Sequence, residues 1–227
     1  MTSQEFTEEQ NWIHRLILHS RDIPNTGLFH GTLGIGLVLF DYAKCYKCKP
    51  IRLFSELLIE EALNYLNEKI PLEMASGLCG IGWGIEYLLQ NGYMKGDSLD
   101  ICEVIDKKII TENPFFIEDL SLDTGLEGKL HYILAHIQGT KGTGMPFPSD
   151  YLYMLNNKLR GLLEQKILVT ESMRHLITIF MKIVESEQWK YEFNLSDFVN
   201  SPIKPSRELL DLQNGVAGYV VVNYLKK

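Results

Sequence analysis

The 227 residues, 45% of them hydrophobic, are enough to bury one substantial core, so we expect a single domain over residues 1–227. A formal net charge of -7 argues against nucleic acid or an anionic membrane as the main partner, and no apolar run reaches the length of a membrane span. Four cysteines without a disulfide-rich composition, and no basic-then-apolar leader, favour a reducing, cytoplasmic location.

Amphipathic segments predict a first set of helices. In the second of them Ala62, Tyr65 and Leu66 follow the i, i+3, i+4 spacing of a half-buried helix. The predicted segments are 7–21, 52–69, 99–111 and 151–165, with a shorter one at 195–200. Sustained alternation of period two is not found, so the sequence predicts no sheet.

Between these segments, four copies of Gly-x-x-Gly each open an apolar stretch. The leading glycines are Gly31, Gly77, Gly125 and Gly215, with gaps of 46, 48 and 90 residues. A common period near 45 residues indicates a repeat architecture. It also predicts a fifth copy near Thr170, where both glycines are missing.

The residues around these glycines predict how the repeats fold. His30, Ser76, Thr124 and Asn214 precede the leading glycines, and a Ser, Thr or Asn side chain there favours a helix N-cap. Glycine within a helix costs about 1 kcal/mol relative to alanine, so we expect it to permit a close backbone approach. Inner helices are predicted to start near residues 31, 77, 125, 171 and 215, each paired with a preceding outer helix. This is an all-α toroid, a barrel of about five helical hairpins; an irregular helical bundle is the alternative.

The repeats resemble a known family. The motif Gly27-Leu-Phe-His-Gly-Thr-Leu-Gly-Ile-Gly and its copy from Ser76 resemble the Gly-rich repeats of lanthionine synthetase C-like (lantibiotic cyclase-like) proteins. The resemblance implies an α/α toroid. It also implies a zinc enzyme that adds cysteine thiols to dehydrated residues of a peptide. The family's zinc is held by two cysteines and one histidine. His30 matches that histidine, but Phe29 stands where a cysteine is expected, and no other copy has a cysteine in this slot. We therefore expect a short, divergent member without the zinc-ligand set.

Several polar side chains on the apolar inner helices are candidates for chemistry. Glu127 and His131 lie four residues apart and could form an acid-base pair, or a capped first turn with a structural histidine. Glu86 on an apolar helix either lines a watery cavity or reaches a cap, because an unpaired buried carboxylate is costly. The candidate catalytic residues are His30, Glu86, Glu127 and His131, and the candidate substrate contacts are Trp83, Asp123 and Asn214.

The cysteines predict little metal chemistry. Cys79 could join His30 in an unusual metal site or be a small buried hydrophobe. Cys45 and Cys48 form a lone C-x-x-C without the second pair that a structural zinc needs. We therefore expect no bound cofactor.

The expected function is maturation of a ribosomally made peptide, by binding or as an accessory protein more than as a zinc-dependent thioether cyclase. A peptide or protein partner is expected at the N-terminal ends of the inner helices, where unpaired amides would attract carboxylates or carbonyls. One alternative is a carbohydrate-active α/α barrel that uses paired carboxylates such as Glu86 and Glu127. Another is a non-catalytic helical scaffold for a protein partner.

Overall fold

The computed structural model describes residues 7–64, 67, 69–165, 167–200, 205–206 and 208–225, and within these ranges it contains helices and no strands. The helices are α1 (Glu8–His19), α2 (Thr32–Tyr46), α3 (Lys49–Asn64), α4 (Leu78–Gln90), α5 (Ser98–Thr111), α6 (Leu126–Gly139), α7 (Ser149–Glu164), α8 (Glu171–Val184) and α9 (Val216–Val220). A π-helical turn, Val221–Leu225, continues α9. None of the helices described is long and apolar enough to cross a membrane.

The helix positions confirm the predicted all-α class. The expected outer segments correspond to α1, α3, α5 and α7, and the short one contains a 3-10 turn at Leu195–Phe198. The helices expected to be inner ones, α2, α4, α6, α8 and α9, begin at residues 32, 78, 126, 171 and 216, each within one residue of the predicted start. Residues 65, 66 and 68 of the predicted second segment lie outside the described residues.

The chain divides into two compact units. Unit 1 comprises residues 1–66 and 194–227, and unit 2 comprises residues 67–193. The single domain expected over the whole chain stays a prediction.

Unit 1 is built around α2, which is buried on nearly every side from Thr32 to Phe40. Helix α3 packs along it, and α1 and α9 contact each other. Gly36 permits the contact with α3, because a Cβ there would lie 2.9 Å from a side-chain carbon of Ile59. Helix α2 is apolar on nearly every side, so its stability depends on being covered by these neighbouring helices.

Unit 2 is built around α4 and α6, which pack against each other, with α5 beside α4 and α8 beside α6. Gly82 of α4 makes room for an aromatic ring of α6, because a Cβ at Gly82 would lie 2.3 Å from the Tyr132 ring. Gly82 lowers the helix propensity of α4, but its missing side chain leaves room for the Tyr132 ring to fill the core.

The four Gly-x-x-Gly copies fold in the same way. In each, the amide that follows the leading glycine donates to the carbonyl six residues before that glycine, with an N···O distance of 2.9 Å. These bonds run from Thr32 to Asn25, from Leu78 to Pro71, from Leu126 to Asp119 and from Val216 to Leu209. The preceding loop thus folds back over the start of each of these helices.

This loop corrects the capping prediction. The N-caps are the leading glycines themselves, and none of these four helices has a side-chain cap, so Ser76, Thr124 and Asn214 are not the caps. Backbone carbonyls take their place: Gly80 also donates its amide to the Glu73 carbonyl at 3.2 Å. A Cβ at Gly77 would lie 2.3 Å from the Pro71 carbonyl oxygen, which explains the glycine. The first amide of each of these four helices is therefore paired with a loop carbonyl, where unpaired amides were expected.

The copies join in pairs through one shared backbone bond. In unit 1, the Leu212 amide donates to the Phe29 carbonyl at 2.9 Å, and in unit 2 the Met74 amide donates to the Asp123 carbonyl at 2.9 Å. Both bonds run from the third residue before one leading glycine to the second residue before the other. The last and first copies are thus joined by the same type of backbone bond as the second and third copies.

Candidate functional site

A cavity of about 550 Å³ opens in unit 1 beside the junction of the last and first copies. Its wall comes from the end of α1, the loop before α2 and the loop before α9. The lining residues are Arg15, His19, Asp22, Ile23, His30, Glu208, Leu209, Leu210 and Asp211. Polar and apolar groups therefore share one accessible cavity, as in small-ligand sites generally.

His30 and Asp211 form the closer of two imidazole-carboxylate pairs in this cavity. The His30 Nδ1 lies 3.0 Å from Asp211 Oδ2, while Asp211 Oδ1 accepts the Asn214 amide at 2.8 Å. The Asp211 side chain is 11% exposed and that of His30 is 38% exposed. A backbone-anchored carboxylate thus orients an accessible imidazole. With the Nδ1 proton directed to Asp211, a neutral ring carries its lone pair on Nε2.

A second imidazole-carboxylate pair lines the same cavity. His19 Nδ1 lies 3.4 Å from Asp22 Oδ2, and both side chains are exposed. Arg15 lies one turn before His19, so the two residues share a face of α1. The cavity therefore carries two imidazoles and one guanidinium, with a carboxylate beside each imidazole.

The repeat itself supplies an internal control for the His30–Asp211 pair. In the junction of unit 2, Thr124 occupies the position of His30, and Glu73 occupies that of Asp211. Thr124 donates its hydroxyl to Asp119 of its own loop at 2.5 Å, and the junction still forms its backbone bond. An imidazole is therefore not needed to join two copies.

Glu86 lies in a fully buried ionic network in unit 2. His136 Nδ1 lies 2.6 Å from Glu86 Oε1, and His136 Nε2 lies 2.8 Å from Asp106 Oδ2. Ser98 donates its hydroxyl to Glu86, and Tyr132 donates to Asp106 at 2.6 Å. Glu86 thus reaches neither a watery cavity nor a helix cap, the two predicted alternatives: it joins α4 to α5 and α6.

The charge state of His136 follows from its two neighbours. Burial alone would lower the pKa of His136, but hydrogen bonds and charges from Asp106 and Glu86 outweigh it and raise that pKa to about 9. At neutral pH an imidazolium therefore lies between two carboxylates. The buried charge of His136 is therefore balanced by a carboxylate on each side.

The thiols do not fit the zinc implied by the family resemblance. Cys102 lies with Glu86 and His136 in one group of ligand-type atoms, all within 4.8 Å of one another. Burial raises the pKa of the Cys102 thiol far above its usual range, and raises the pKa of Cys79 to about 12. Zinc binds thiolate, so these two neutral thiols are poor ligands, and Phe29 is a buried core side chain.

Glu127 and His131, the predicted acid-base pair, take different partners. Glu127 is 3% exposed and accepts the Thr170 hydroxyl at 2.9 Å, and Thr170 caps α8 by accepting the Met173 amide at 2.9 Å. Glu127 thus links the starts of α6 and α8. The capping threonine predicted near residue 170 is confirmed.

His131 and Trp83 lie in the core of unit 2 and share one partner. The Trp83 indole donates to the Tyr191 hydroxyl at 2.7 Å, which leaves that hydroxyl to donate to His131 Nδ1, also at 2.7 Å. Burial lowers the pKa of His131 to about 3, so its imidazole is neutral at ordinary pH. The Trp83 ring also stacks on Tyr87 at 5.3 Å.

The last two predicted contacts lie at the junctions of the copies. The Asp123 carbonyl accepts the amides of Met74 and Ala75. The Asn214 side-chain oxygen accepts an amide hydrogen of Asn200 at 3.0 Å. Among the predicted site residues, His30 lines the cavity of unit 1, and Asn214 donates its backbone amide to the lining residue Asp211.

The other residues that line the cavity, Arg15, His19 and Asp211 among them, were not identified from the sequence. Comparisons with known proteins do not name the site either: no family model matches the chain, and no curated protein or solved structure gives a significant match. The functional assignment therefore rests on the cavity residues themselves.

We expect protein purified without chelators to contain far less than one zinc per chain. The reason is the missing thiolate set, since zinc affinity depends on the number of deprotonated ligands. Elemental analysis of the purified chain checks this. Stoichiometric zinc would contradict it, and its loss in Cys102→Ala or in His30→Ala would locate the ion.

Proposed function

We propose that this chain is a short, cytoplasmic relative of the lanthionine synthetase C-like proteins, which binds a ribosomally made peptide during its maturation and holds no catalytic zinc. The repeat supports the relationship. Four copies of one Gly-x-x-Gly loop, each with the same 2.9 Å backbone bond, start inner helices that alternate with amphipathic outer helices.

In this proposal the helical hairpins close into an α/α toroid. The supporting observation is the junction of the last copy with the first. A closed ring of repeats requires the two ends of the chain to join as neighbouring copies do. The bond from Leu212 to Phe29 has the register of the bond from Met74 to Asp123.

The peptide site in this proposal is the cavity of unit 1. One observation carries it: an accessible imidazole, oriented by a backbone-anchored carboxylate, lies where the other junction has a threonine. Repeat packing alone does not account for His30. An imidazole that directs its Nδ1–H to Asp211 can accept a peptide N–H through Nε2.

Replacing His30 by alanine should weaken binding of a precursor peptide encoded beside the gene by about 10- to 100-fold, the effect of losing one strong hydrogen bond. Fluorescence anisotropy with the labelled peptide measures it. Thr124→Ala is the matched control, since it truncates the equivalent position of the other junction and should leave affinity unchanged. Unchanged affinity in a folded His30→Ala protein would mean that the peptide does not bind at this cavity.

The other expected functions have less support. Glu86 and Glu127 are buried and bonded to His136 and Thr170, which weighs against a carbohydrate-active site built on these two carboxylates. A scaffold for a folded protein would use a broad surface, so truncation of a single cavity residue should change its affinity little.

A further inference from the structure

The charged groups around the cavity of unit 1 are mostly acidic. Among its described lining residues, Asp22, Glu208 and Asp211 carry carboxylates, and Arg15 carries a guanidinium. Beside neutral imidazoles, three negative charges therefore stand against one positive charge. Since opposite charges attract and like charges repel, this lining favours a cationic ligand over an anionic one.

Asp211 is the least exposed of these carboxylates, and its hydrogen bonds leave its charge in place. Its side chain is 11% exposed, whereas that of Asp22 is 78% exposed and Glu208 is an exposed residue. It accepts from His30 Nδ1 and from the Asn214 amide. A neutral imidazole and an amide orient the carboxylate without cancelling its charge. A charge shielded from water also acts more strongly on a ligand than an exposed one does.

His30 adds a hydrogen-bond acceptor to the cavity. With its Nδ1–H directed to Asp211, the neutral ring has its lone pair on Nε2. A protonated amine carries three N–H donors and no acceptor, so it can donate both to an imidazole nitrogen and to a carboxylate. Bonds from such a charged donor are stronger than bonds between neutral groups.

Apolar side chains lie between two of the acids in the chain. Residues 208–211 read Glu-Leu-Leu-Asp, and all four line the cavity. Ile23 adds apolar surface from the segment after α1. A lysine side chain packs its methylene stem along apolar surface while its ammonium group reaches polar partners. The segment 208–211 therefore matches both parts of a lysine side chain.

We infer that this cavity binds a protonated amine of the peptide, held by Asp211 and Glu208 with His30 as a further acceptor. The inference rests on the proposed function, because it assumes a peptide ligand. The amine belongs either to a lysine side chain or to the N-terminus of the peptide. Both are ammonium groups with the same chemistry, and the probes below separate them.

Three hexapeptides, each with an uncharged dye linked through an amide at the C-terminus, provide the test by fluorescence anisotropy at pH 7 and low salt. The first is acetylated and contains two lysines flanked by leucines. The second replaces both lysines by glutamine, and the third is the glutamine peptide with a free N-terminal amine. We expect at least one amine-bearing peptide to bind on the order of tenfold more tightly than the acetylated glutamine peptide, as for a hydrogen bond to a charged group.

Two cavity variants and one control locate the binding. Asp211→Asn keeps the shape of the side chain but removes its charge, and it should weaken binding of the amine-bearing peptide by about tenfold. Glu208→Gln removes an exposed charge and should weaken that binding by about two- to fivefold. Glu187→Gln is the matched control, because Glu187 is an exposed carboxylate of unit 2 that does not line the cavity. It should leave all three affinities unchanged.

The outcomes separate this inference from the proposed function. Equal binding of all three peptides, with loss in His30→Ala, would overturn the amine inference and leave peptide binding at this cavity supported. An amine preference that survives both cavity variants would also overturn it, since the attraction would then come from the net charge of -7 on the whole chain. Failure of the three peptides alone would overturn the amine inference, and failure of the precursor peptide as well would overturn both. Circular dichroism of each variant establishes that it remains helical.

Discussion

Replacing His136 by asparagine is expected to lower the free energy of unfolding by about 3–5 kcal/mol at neutral pH, the range for breaking a buried ion pair from one side. The substitution removes the imidazolium and leaves Glu86 and Asp106 buried in the core of unit 2. Urea denaturation followed by circular dichroism measures the loss. His175→Asn is the control: His175 lies on the exposed side of α8, and its variant should stay within about 0.5 kcal/mol of the parent.

The pairing of His136 with Glu86 and Asp106 makes the stability of the chain depend on pH in a predictable direction. The pKa of His136 is about 9 in the folded chain, above the 6.5 of an unperturbed histidine. A raised pKa means that the contribution of His136 to stability is complete below about pH 6.5 and is lost as the pH rises through about 9. The stability difference between the parent and His136→Asn should therefore shrink from pH 7 to pH 10. A difference that stays constant over this range would contradict the assignment of an imidazolium.

If His136→Asn does not fold, Glu86→Gln tests the same network more gently. It keeps the hydrogen bond from Ser98 and leaves His136 paired with Asp106. We expect it to lose less stability than His136→Asn, and to lower the pKa of His136, because one of the two carboxylates that raise that pKa is gone. NMR titration of the imidazole measures this shift.

Gly128→Ala is expected to destabilise the chain by about 3 kcal/mol, the upper part of the usual range for overpacking. The added Cβ would lie 2.2 Å from the Leu122 carbonyl oxygen and 2.5 Å from the Met74 Cβ. The first neighbour is backbone of the capping loop, and moving it would break the bond that covers the start of α6. The thermal midpoint and urea denaturation both report this loss.

Gly161→Ala is the matched control for this prediction. Gly161 lies inside α7, where a Cβ would meet no other heavy atom within 4 Å. Alanine there should stabilise the chain by up to about 1 kcal/mol through helix propensity alone. Equal effects of the two substitutions would mean that the loop does not lie against the glycine of α6.

The periodic glycines made the helix starts predictable, because the repeat is a local signal that recurs along the chain. The caps were not predictable in the same way. Ser76 and Thr124 carry oxygens that favour capping, but in the structure a backbone carbonyl of the preceding loop accepts the first helix amide instead. One local sign of this loop was available in the sequence: an apolar residue stands three positions before each leading glycine. These residues are Leu28, Met74, Leu122 and Leu212.

The sites depend on contacts that no local pattern encodes. His30 and Asp211 are 181 residues apart in the chain, and Glu86 and His136 are 50 apart. The i, i+4 spacing of Glu127 and His131 placed both on α6, yet spacing on one helix does not fix which neighbouring helix supplies a partner. Thr170 and Tyr191 are those partners, and both lie far along the chain.

The discontinuity of unit 1 has a consequence for synthesis on the ribosome. Unit 2 is one continuous segment, whereas α2 packs against α9, which is made after the whole of unit 2. Roughly 170 residues separate the end of α2 from the start of α9, or about 10 to 30 s of translation at the usual rates. During that interval an almost wholly apolar helix lacks its final neighbours. Nascent chains stalled before residue 209 should therefore be chaperone substrates through α2, even when residues 67–193 have already folded.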